Sequence, residues 1–377
     1  MNTHSTELAD YLDSLKNRSR SRIDEVLEQI SRSRYVCVFG MGAISKPIIR
    51  SIRANTGINI DFVCDNDPAK WGKIFHGDLR CLSPQELSRY GQEVAILITT
   101  QHYQEIRSQL AGLGLPNTFV VTEYRLLNRD FFRDPANLSS MKSMLGKAID
   151  LFEDSTSKDV FLCLVKNWFD FDITGIGYKG IVSPDQYFPA GIIDLGDQEA
   201  FVDVGAFNGD TVFEFIRRSR ERFHSIHAFE LDGKNFEEMR LALACLDAQV
   251  RQRITIHNTG LLDRATEISF ETGGPGSTCV IAIGQSEGRG QTVRLVDALP
   301  TEPVTFIKMD IEGAEPLALR GAEAIIRCQK PKLAICVYHK PEHLWEIPLY
   351  IKSLVPEYRL FLRHHTPMEY ETVCYAI

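Results

Sequence analysis

The chain has 377 residues, 44% of them hydrophobic and 24% charged, with a formal net charge of −8. At roughly 100–200 residues per domain this length predicts two domains, and the composition excludes a disordered or fibrous chain. The acidic balance offers no basic face to neutralise phosphates, so no nucleic-acid partner is expected.

Nine cysteines are present. They stand singly, Cys37, Cys64, Cys163, Cys279 and Cys374 among them, with no C-x-x-C or other zinc spacing. That usage fits reduced, buried thiols in the cytoplasm. The first thirty residues are polar and lack the apolar region of a signal peptide. No apolar run approaches the ~18 residues of a membrane span. A cytoplasmic protein is expected.

Residues 1–34 read as a polar helical arm. Its apolar stripe, Leu8, Leu12 and Leu15, then Ile23, Val26, Leu27 and Ile30, suits packing or the pairing of two copies in a homo-oligomer. Residues 35–125 read as a Rossmann-like domain. Apolar runs at Tyr35–Phe39, Ile60–Cys64, Val94–Thr99 and Asn117–Val121 alternate with helical stretches, the pattern of β-α-β crossovers and a parallel sheet. Residues 126–198 read as a helical connector and cap. They carry Phe131, Phe132, Phe161, Trp168, Phe169 and Phe171, then a Gly-, Pro- and Tyr-rich stretch. Trp168 to Tyr187 would supply core and lid, or a platform on which a sugar ring stacks.

From residue 199 to 377 the alternation resumes. Strands are predicted at Ala200–Val204, Ser225–Glu230, Ile254–Asn258, Val304–Met309 and Lys332–Val337. A terminal hairpin of Tyr358–Arg363 and Thr372–Ile377 follows, with His364 and His365 in its turn, solvated or facing an acceptor. The fold class is thus α/β, with two doubly wound Rossmann-like domains.

The strongest motif is Phe201 to Thr211, FVDVGAFNGDT. A buried strand ends in an acid, a glycine-containing loop follows, and Asp210 or Thr211 can cap the next helix. Ligands of open α/β sheets bind beyond the carboxyl ends of strands, where glycine lets the backbone approach them. An acidic strand end would repel a phosphate but suits a cationic amino-acid group. Glu230 ends the next strand, where one carboxylate can grip a ribose diol. An NAD site would carry the same acid, but G-x-G-x-x-G is absent here and D-x-G-A-x-x-G stands in its place.

The stretch Phe306-Ile307-Lys308-Met309-Asp310-Ile311-Glu312-Gly313-Ala314-Glu315 resembles the signature of the FkbM-type methyltransferases. Val202 to Thr211, His227 to Asp232 and Cys336 to Pro341 support the resemblance, which covers about residues 185–377, roughly half of the chain. It implies a class I methyltransferase fold: a seven-stranded sheet whose last strand is antiparallel. It also implies S-adenosyl-L-methionine as cofactor and O-methylation of a sugar, glycan or related natural product. By resemblance Asp203, Gly205, Ala206, Asn208 and Gly209 line the methionine side and Glu230 with Leu231 holds the ribose. Asn258 to Asp263 would flank the adenine, and Asp310 would sit beside the reacting centre.

An alcohol is a poor nucleophile while protonated, so a base or a metal should assist it. The base candidates are Asp310, Glu312, Glu315 and His339. Glu315 begins a helix and could simply favour its dipole. Glu312 could face the cleft or anchor its turn, and His339 titrates near neutrality unless its place is structural. Related sugar O-methyltransferases can use Mg2+, but Asp310 and Glu312 are too few to define a site, so no metal is expected.

The first loop, Gly40-Met41-Gly42-Ala43-Ile44-Ser45, is G-x-G-x-x-S, with Asp65 at the next strand end. It would bind a nucleotide, or belong to a domain kept for docking. Two rivals to the methyltransferase therefore stand: an adaptor for a glycan-synthesis partner, and an NAD-dependent enzyme using the N-terminal domain.

Overall fold

The computed structural model describes residues 3–15, 22–42, 45–100, 102–121, 135–170, 176–270, 272–274, 277–278 and 288–377. Ala43, Ile44, Phe131, Phe132, Phe171 and Cys279, singled out above, lie outside them. The chain divides into two compact units. One comprises Met1–Gly146, Phe161–Val182 and Thr366–Glu369; the other comprises Lys147–Val160, Ser183–His365 and Tyr370–Ile377.

The first unit carries β1 (Tyr35–Phe39), β2 (Phe62–Cys64), β3 (Ile74–Phe75), β4 (Leu79–Leu82), β5 (Val94–Ile98) and β6 (Thr118–Val120). They form one sheet in the order β3-β4-β2-β1-β5-β6, parallel except at the β3–β4 pair. Continuous apolar runs suit strands covered on both faces, and β5 is buried along its whole length. Val26 and Ile30 of the arm join the core of this sheet with Val36, Val38, Ile48 and Ile52. Leu8 and Leu12 are also buried. Of the apolar stripe of the arm, Leu8, Leu12, Leu15, Val26 and Ile30 are therefore covered within the chain.

The second unit carries β7 (Ala200–Val204), β8 (Ser225–Phe229), β9 (Ile254–His257), β10 (Gly260–Leu261), β11 (Thr266–Phe270), β12 (Thr272–Gly274), β13 (Ser277–Thr278), β14 (Gly288–Val293), β15 (Phe306–Met309), β16 (Lys332–Cys336), β17 (Leu360–His364) and β18 (Thr372–Ala376). Seven of these build the main sheet in the order β17-β18-β16-β15-β7-β8-β9. Only β18 runs antiparallel to the rest of it. This is the expected class I methyltransferase sheet with its antiparallel last strand. Strand order reverses between β7 and β15, which opens the crevice where ligands of doubly wound folds bind. Phe201 stacks on Phe215 at 4.5 Å and meets Phe306 at 5.0 Å in the core beneath it.

Two expectations need correction. β9 leads into a three-stranded side sheet, β10-β14-β11, rather than into another helical crossover. Gly288-Arg289-Gly290-Gln291 offers no apolar run, so nothing in its hydropathy marks a strand. His364 and His365 are not solvated in an open turn. His364 ends β17, fully buried, with Nδ1 at 2.8 Å from Thr372 Oγ1. His365 lies 2.9 Å from both Ser183 O and Tyr375 Oη. No helix of the described residues is long and apolar enough to cross a membrane.

The packing at Gly321 is testable. A Cβ there would stand 2.0 Å from Leu262 O, backbone that cannot swing away, whereas one at Gly233 meets open space. Gly321→Ala is expected to cost about 1–3 kcal/mol, outweighing a helix-propensity gain of about 1 kcal/mol. Gly233→Ala should stay within about 0.5 kcal/mol of wild type. Urea midpoints of the two variants check the contrast.

Candidate functional site

The cleft opens beyond the carboxyl ends of β7, β8 and β15. Its floor is the turn after β7. Gly205 has φ +79° and a Cβ there would lie 1.9 Å from Asp310 O, so both conformation and space demand glycine. The Gly205 and Ala206 amides each donate to Phe229 O at 3.0 Å. Gly209, at φ +89°, starts the helix Asp210–Arg218 and packs on Met239. Asn208 Oδ1 accepts from the Asp210 amide at 3.2 Å. Of these, Gly205 faces the cleft, while Ala206, Asn208 and Gly209 shape the turn behind it.

Asp203 occupies another place than the lining expected of it. It is fully buried, and its Oδ1 stands 3.0 Å from Lys308 Nζ. Lys308 Nζ also donates to Gly205 O at 2.7 Å. Asp203 and Lys308 are register partners on β7 and β15, so their side chains emerge on one face of the sheet. Burial alone would lower the Lys308 pKa; the carboxylates of Asp203 and Asp310 outweigh it and hold the ammonium above its ordinary value. Asp203 acts on the cleft through Lys308 and the Gly205 carbonyl.

Glu230 lines the cleft with Leu231. Its Oε2 accepts from the Phe207 amide at 2.8 Å and its Oε1 from the Asp232 amide at 2.7 Å, which leaves lone pairs for a diol. Burial raises its carboxyl to about 6 despite these amides. Asp232 caps the helix Gly233–Leu243, accepting from the Lys234 amide at 2.7 Å. Gly260, Leu261, Leu262, Ile268 and Thr292, largely from the side sheet, form an adjoining wall, mostly apolar. Asn258 supports rather than lines it, donating to Glu230 O at 2.9 Å.

The opposite wall holds three carboxylate-bearing residues, Asp310, Glu312 and Glu371, and Glu315 is buried outside the lining. Asp310 accepts from Tyr187 Oη at 2.7 Å and from Tyr338 Oη at 3.0 Å. Glu312, at φ +55°, lines the cleft beside it. Glu315 is fully buried, and its Oε1 accepts from the Ile311 amide at 2.9 Å. Burial would raise Glu315, but His339 and His343 with that amide hold it at about 2. Glu315 therefore keeps its charge and is no proton acceptor. Glu371, which accepts from the Gln186 amide group, is raised to about 7 by burial and by the charge of Asp310.

His339 lies among these acids. Its Nδ1 is 2.9 Å from Glu315 Oε1, and its Nε2 is 3.3 Å from both Asp310 Oδ1 and Glu312 Oε2. Burial would lower its pKa, but Glu315 and Glu312 raise it well above the ordinary value. Held between these carboxylates, the ring is better placed to donate a proton than to accept one. Sequence reasoning passed over Lys308, Tyr338, Thr292 and Glu371. A lysine inside the apolar run Phe306-Ile307-Lys308-Met309 does signal a buried acidic partner; Glu371, in a turn, carries no such mark.

In the first unit Asp65 is engaged by its own loop. Its Oδ2 accepts from the Met41 amide at 2.7 Å and from Lys70 Nζ at 2.9 Å, and its Oδ1 from the Asp67 amide at 2.9 Å. A ribose hydroxyl would have to compete with these.

Residues 203–366 match the model of the methyltransferase FkbM domain, and residues 32–121 match that of C2185-like N-terminal regions. No curated protein matches the chain. Among solved structures, a methyltransferase FkbM from Methylobacillus flagellatus KT is similar over 100% of this chain and 99% of its own, at 21% identity and a TM-score of 0.73. That likeness is one of fold. An rRNA methylase from Streptococcus thermophilus shares 13% identity over 48% of this chain and 87% of its own, with a TM-score of 0.32. Fibrillarin from Aeropyrum pernix, in complex with S-adenosyl-L-methionine, shares 12% over 50% and 70%, also at 0.32. Neither of these two carries weight.

The buried pair gives a double-mutant test. Lys308→Met leaves Asp203 buried without its ammonium partner, and is expected to cost about 3–5 kcal/mol. Combining it with Asp203→Leu should restore most of that loss, because two apolar groups replace two charges. Denaturant unfolding of both variants checks the recovery.

Proposed function

With residues 203–366 matching the model of the methyltransferase FkbM domain, we propose that this chain is an S-adenosyl-L-methionine-dependent O-methyltransferase acting on a hydroxyl of a sugar, glycan or related natural product. The observation that carries the reading is the placement of Gly205, Glu230 and Asp310 around one cleft at the strand-order reversal. The lining holds Asp210, Glu230, Asp310, Glu312 and Glu371, against one ammonium, Lys308, already committed to Asp203. Such a wall favours a cationic ligand and disfavours a phosphate-bearing one. When bound, the cofactor supplies an electrophilic methyl group on a sulfonium.

In this reading Glu230 accepts hydrogen bonds from the ribose diol, and Leu231, Leu261 and Ile268 cover the adenine. Asp310 and Glu312 orient the acceptor hydroxyl, with Asp310 fixed by the two phenols. His339 balances their charge and holds them in place. Of the cleft carboxylates Glu371 is the best matched to receive the hydroxyl proton, since a base works most effectively when its pKa lies near the operating pH. Holding both reactants in line supplies much of the rate.

Calorimetry on the full chain is expected to show S-adenosylhomocysteine binding, weakened at least tenfold by Glu230→Gln. Affinity should fall as pH drops through about 6, where Glu230 gains its proton and loses acceptor capacity. Tight NAD binding in its place, unaffected by Glu230→Gln, would move the function to the first unit.

Turnover on a hydroxylated acceptor should rise with pH through about 7 as Glu371 ionises. Glu371→Gln should lower it on the order of 10²–10⁴-fold and flatten that rise. An unchanged profile removes Glu371 from the reaction.

A further inference from the structure

We propose that Arg218, which stands outside the cleft lining, is a positioning residue: it clamps the turn Asp185-Gln186-Tyr187-Phe188 so that the two central side chains face the acceptor wall. The clamp goes beyond the methyltransferase reading. It rests on that reading for its effect on turnover, though not for its existence.

The turn is built against local preference. The Phe188 amide donates to Asp185 O at 3.0 Å, which closes a four-residue turn. Its third residue, Tyr187, has φ +66°, a conformation for which turns take glycine or asparagine. Asp185 stands at φ +60°. A left-handed tyrosine is disfavoured by its own side chain and persists only where the surroundings impose it. Such positions gather at functional sites.

Arg218 supplies the constraint. Its guanidinium is held to its own helix by Glu214, whose Oε1 accepts from Nε at 2.5 Å. The remaining nitrogens grip both ends of the turn: Nη2 donates to Asp185 Oδ1 at 2.5 Å and Nη1 to Phe188 O at 3.2 Å. The planar fork of arginine suits three fixed acceptors at once, which an ammonium on a flexible stem does not. Cζ also lies 5.3 Å from the centre of the Phe188 ring, and that ring is buried against Phe201 and Phe306. The arginine side chain is only 23% exposed, so water competes less for these bonds than for a surface pair.

With its ends fixed, the turn presents its centre to the cleft. Gln186 and Tyr187 belong to the lining, whereas Asp185 and Phe188 do not. Gln186 Nε2 donates to Glu371, and Tyr187 Oη to Asp310 Oδ2 at 2.7 Å. The Tyr187 amide donates to Tyr375 Oη at 3.1 Å. One arginine thus sets, through one turn, the surroundings of two carboxylates that it does not touch. The charged groups facing Glu371 are Asp310, which raises its pKa, and His339 and Lys308, which lower it. The Tyr187 and Tyr338 phenols and the Cys336 thiol, raised by burial, stay neutral.

Carbon NMR of the full chain with isotope-labelled glutamate carboxyls follows Glu371 directly, its signal identified by its loss in Glu371→Gln. In the wild type Glu371 titrates at about 7, with burial the largest cause. Arg218→Gln frees the turn and admits water, so the midpoint should fall towards the ordinary carboxylate range. Asp185→Asn, at an exposed side chain that tolerates the left-handed conformation, should lower it too. The double variant should go no further than Arg218→Gln alone, because both changes break one clamp. Gln186→Leu removes the donor without opening the turn, and should move the midpoint up. Arg217→Gln, which breaks an exposed pair with the same Glu214, should leave it in place. A loss of stability alone would not move the midpoint of the native state. An unmoved or raised midpoint in Arg218→Gln overturns the clamp, as does the same result in Asp185→Asn should the first variant fail to fold. An equal fall in Arg217→Gln overturns it as well. Calorimetry of S-adenosylhomocysteine on the wild type reads the methyltransferase proposal separately. If the cofactor product binds and the midpoint stays, the clamp alone fails; if the midpoint falls and the product does not bind, the clamp stands without that reading.

Discussion

The second unit depends on a lysine and an aspartate buried side by side under a glycine turn. Lys308 and Asp203 sit across from each other on β15 and β7, 3.0 Å apart, and the ammonium also holds the Gly205 carbonyl at 2.7 Å. Bringing two charges out of water costs several kcal/mol per ion, and only close pairing offsets that. The pair spans the two strands between which the sheet reverses its order. Its position fixes the turn whose glycine lets Asp310 approach to within less than a side chain's width. Because the cation is consumed internally, the cleft wall is left rich in carboxylates, and that imbalance sets the charge of what can bind.

The carboxylates themselves show how environment divides one chemical group into several roles. Glu315 is buried but ringed by two histidines and an amide, which keep it ionised. Glu371 is buried beside Asp310 with one amide donor, and its affinity for a proton rises to near neutrality. Glu230 lies between these, holding two backbone amides with lone pairs to spare. Asp310 is oriented by two phenols. One functional group thus stands in four different settings within the second unit.

Much of this was legible in the residues. Apolar runs mark the central strands of the main sheet, since a doubly covered parallel strand must be apolar, whereas β9 at the edge alternates as Ile-Thr-Ile-His. The acid-and-glycine turn after β7 and the acid after β8 mark the cleft. The side sheet was not legible: β10 has two residues and β14 is rich in glycine and polar groups, so neither carries a periodic signal. The side chain of Asp203 was misplaced for a different reason. A motif shows that a residue ends a strand but not which neighbour takes its charge, and here Lys308, a hundred residues later, takes it. His339 is only one base candidate among four in the sequence, because the carboxylates of Asp310, Glu312 and Glu315 converge on it only in space.

The central claim is that a sulfonium cofactor occupies the cleft between β7, β8 and the side sheet. Irradiating the full chain with S-adenosyl-L-methionine carrying a radiolabelled methyl group, followed by peptide mapping, tests it most directly. The account predicts label on peptides covering residues 204–231, 258–268 or 308–315. Label confined to residues 35–100, or none under conditions that saturate a known methyltransferase, would contradict it.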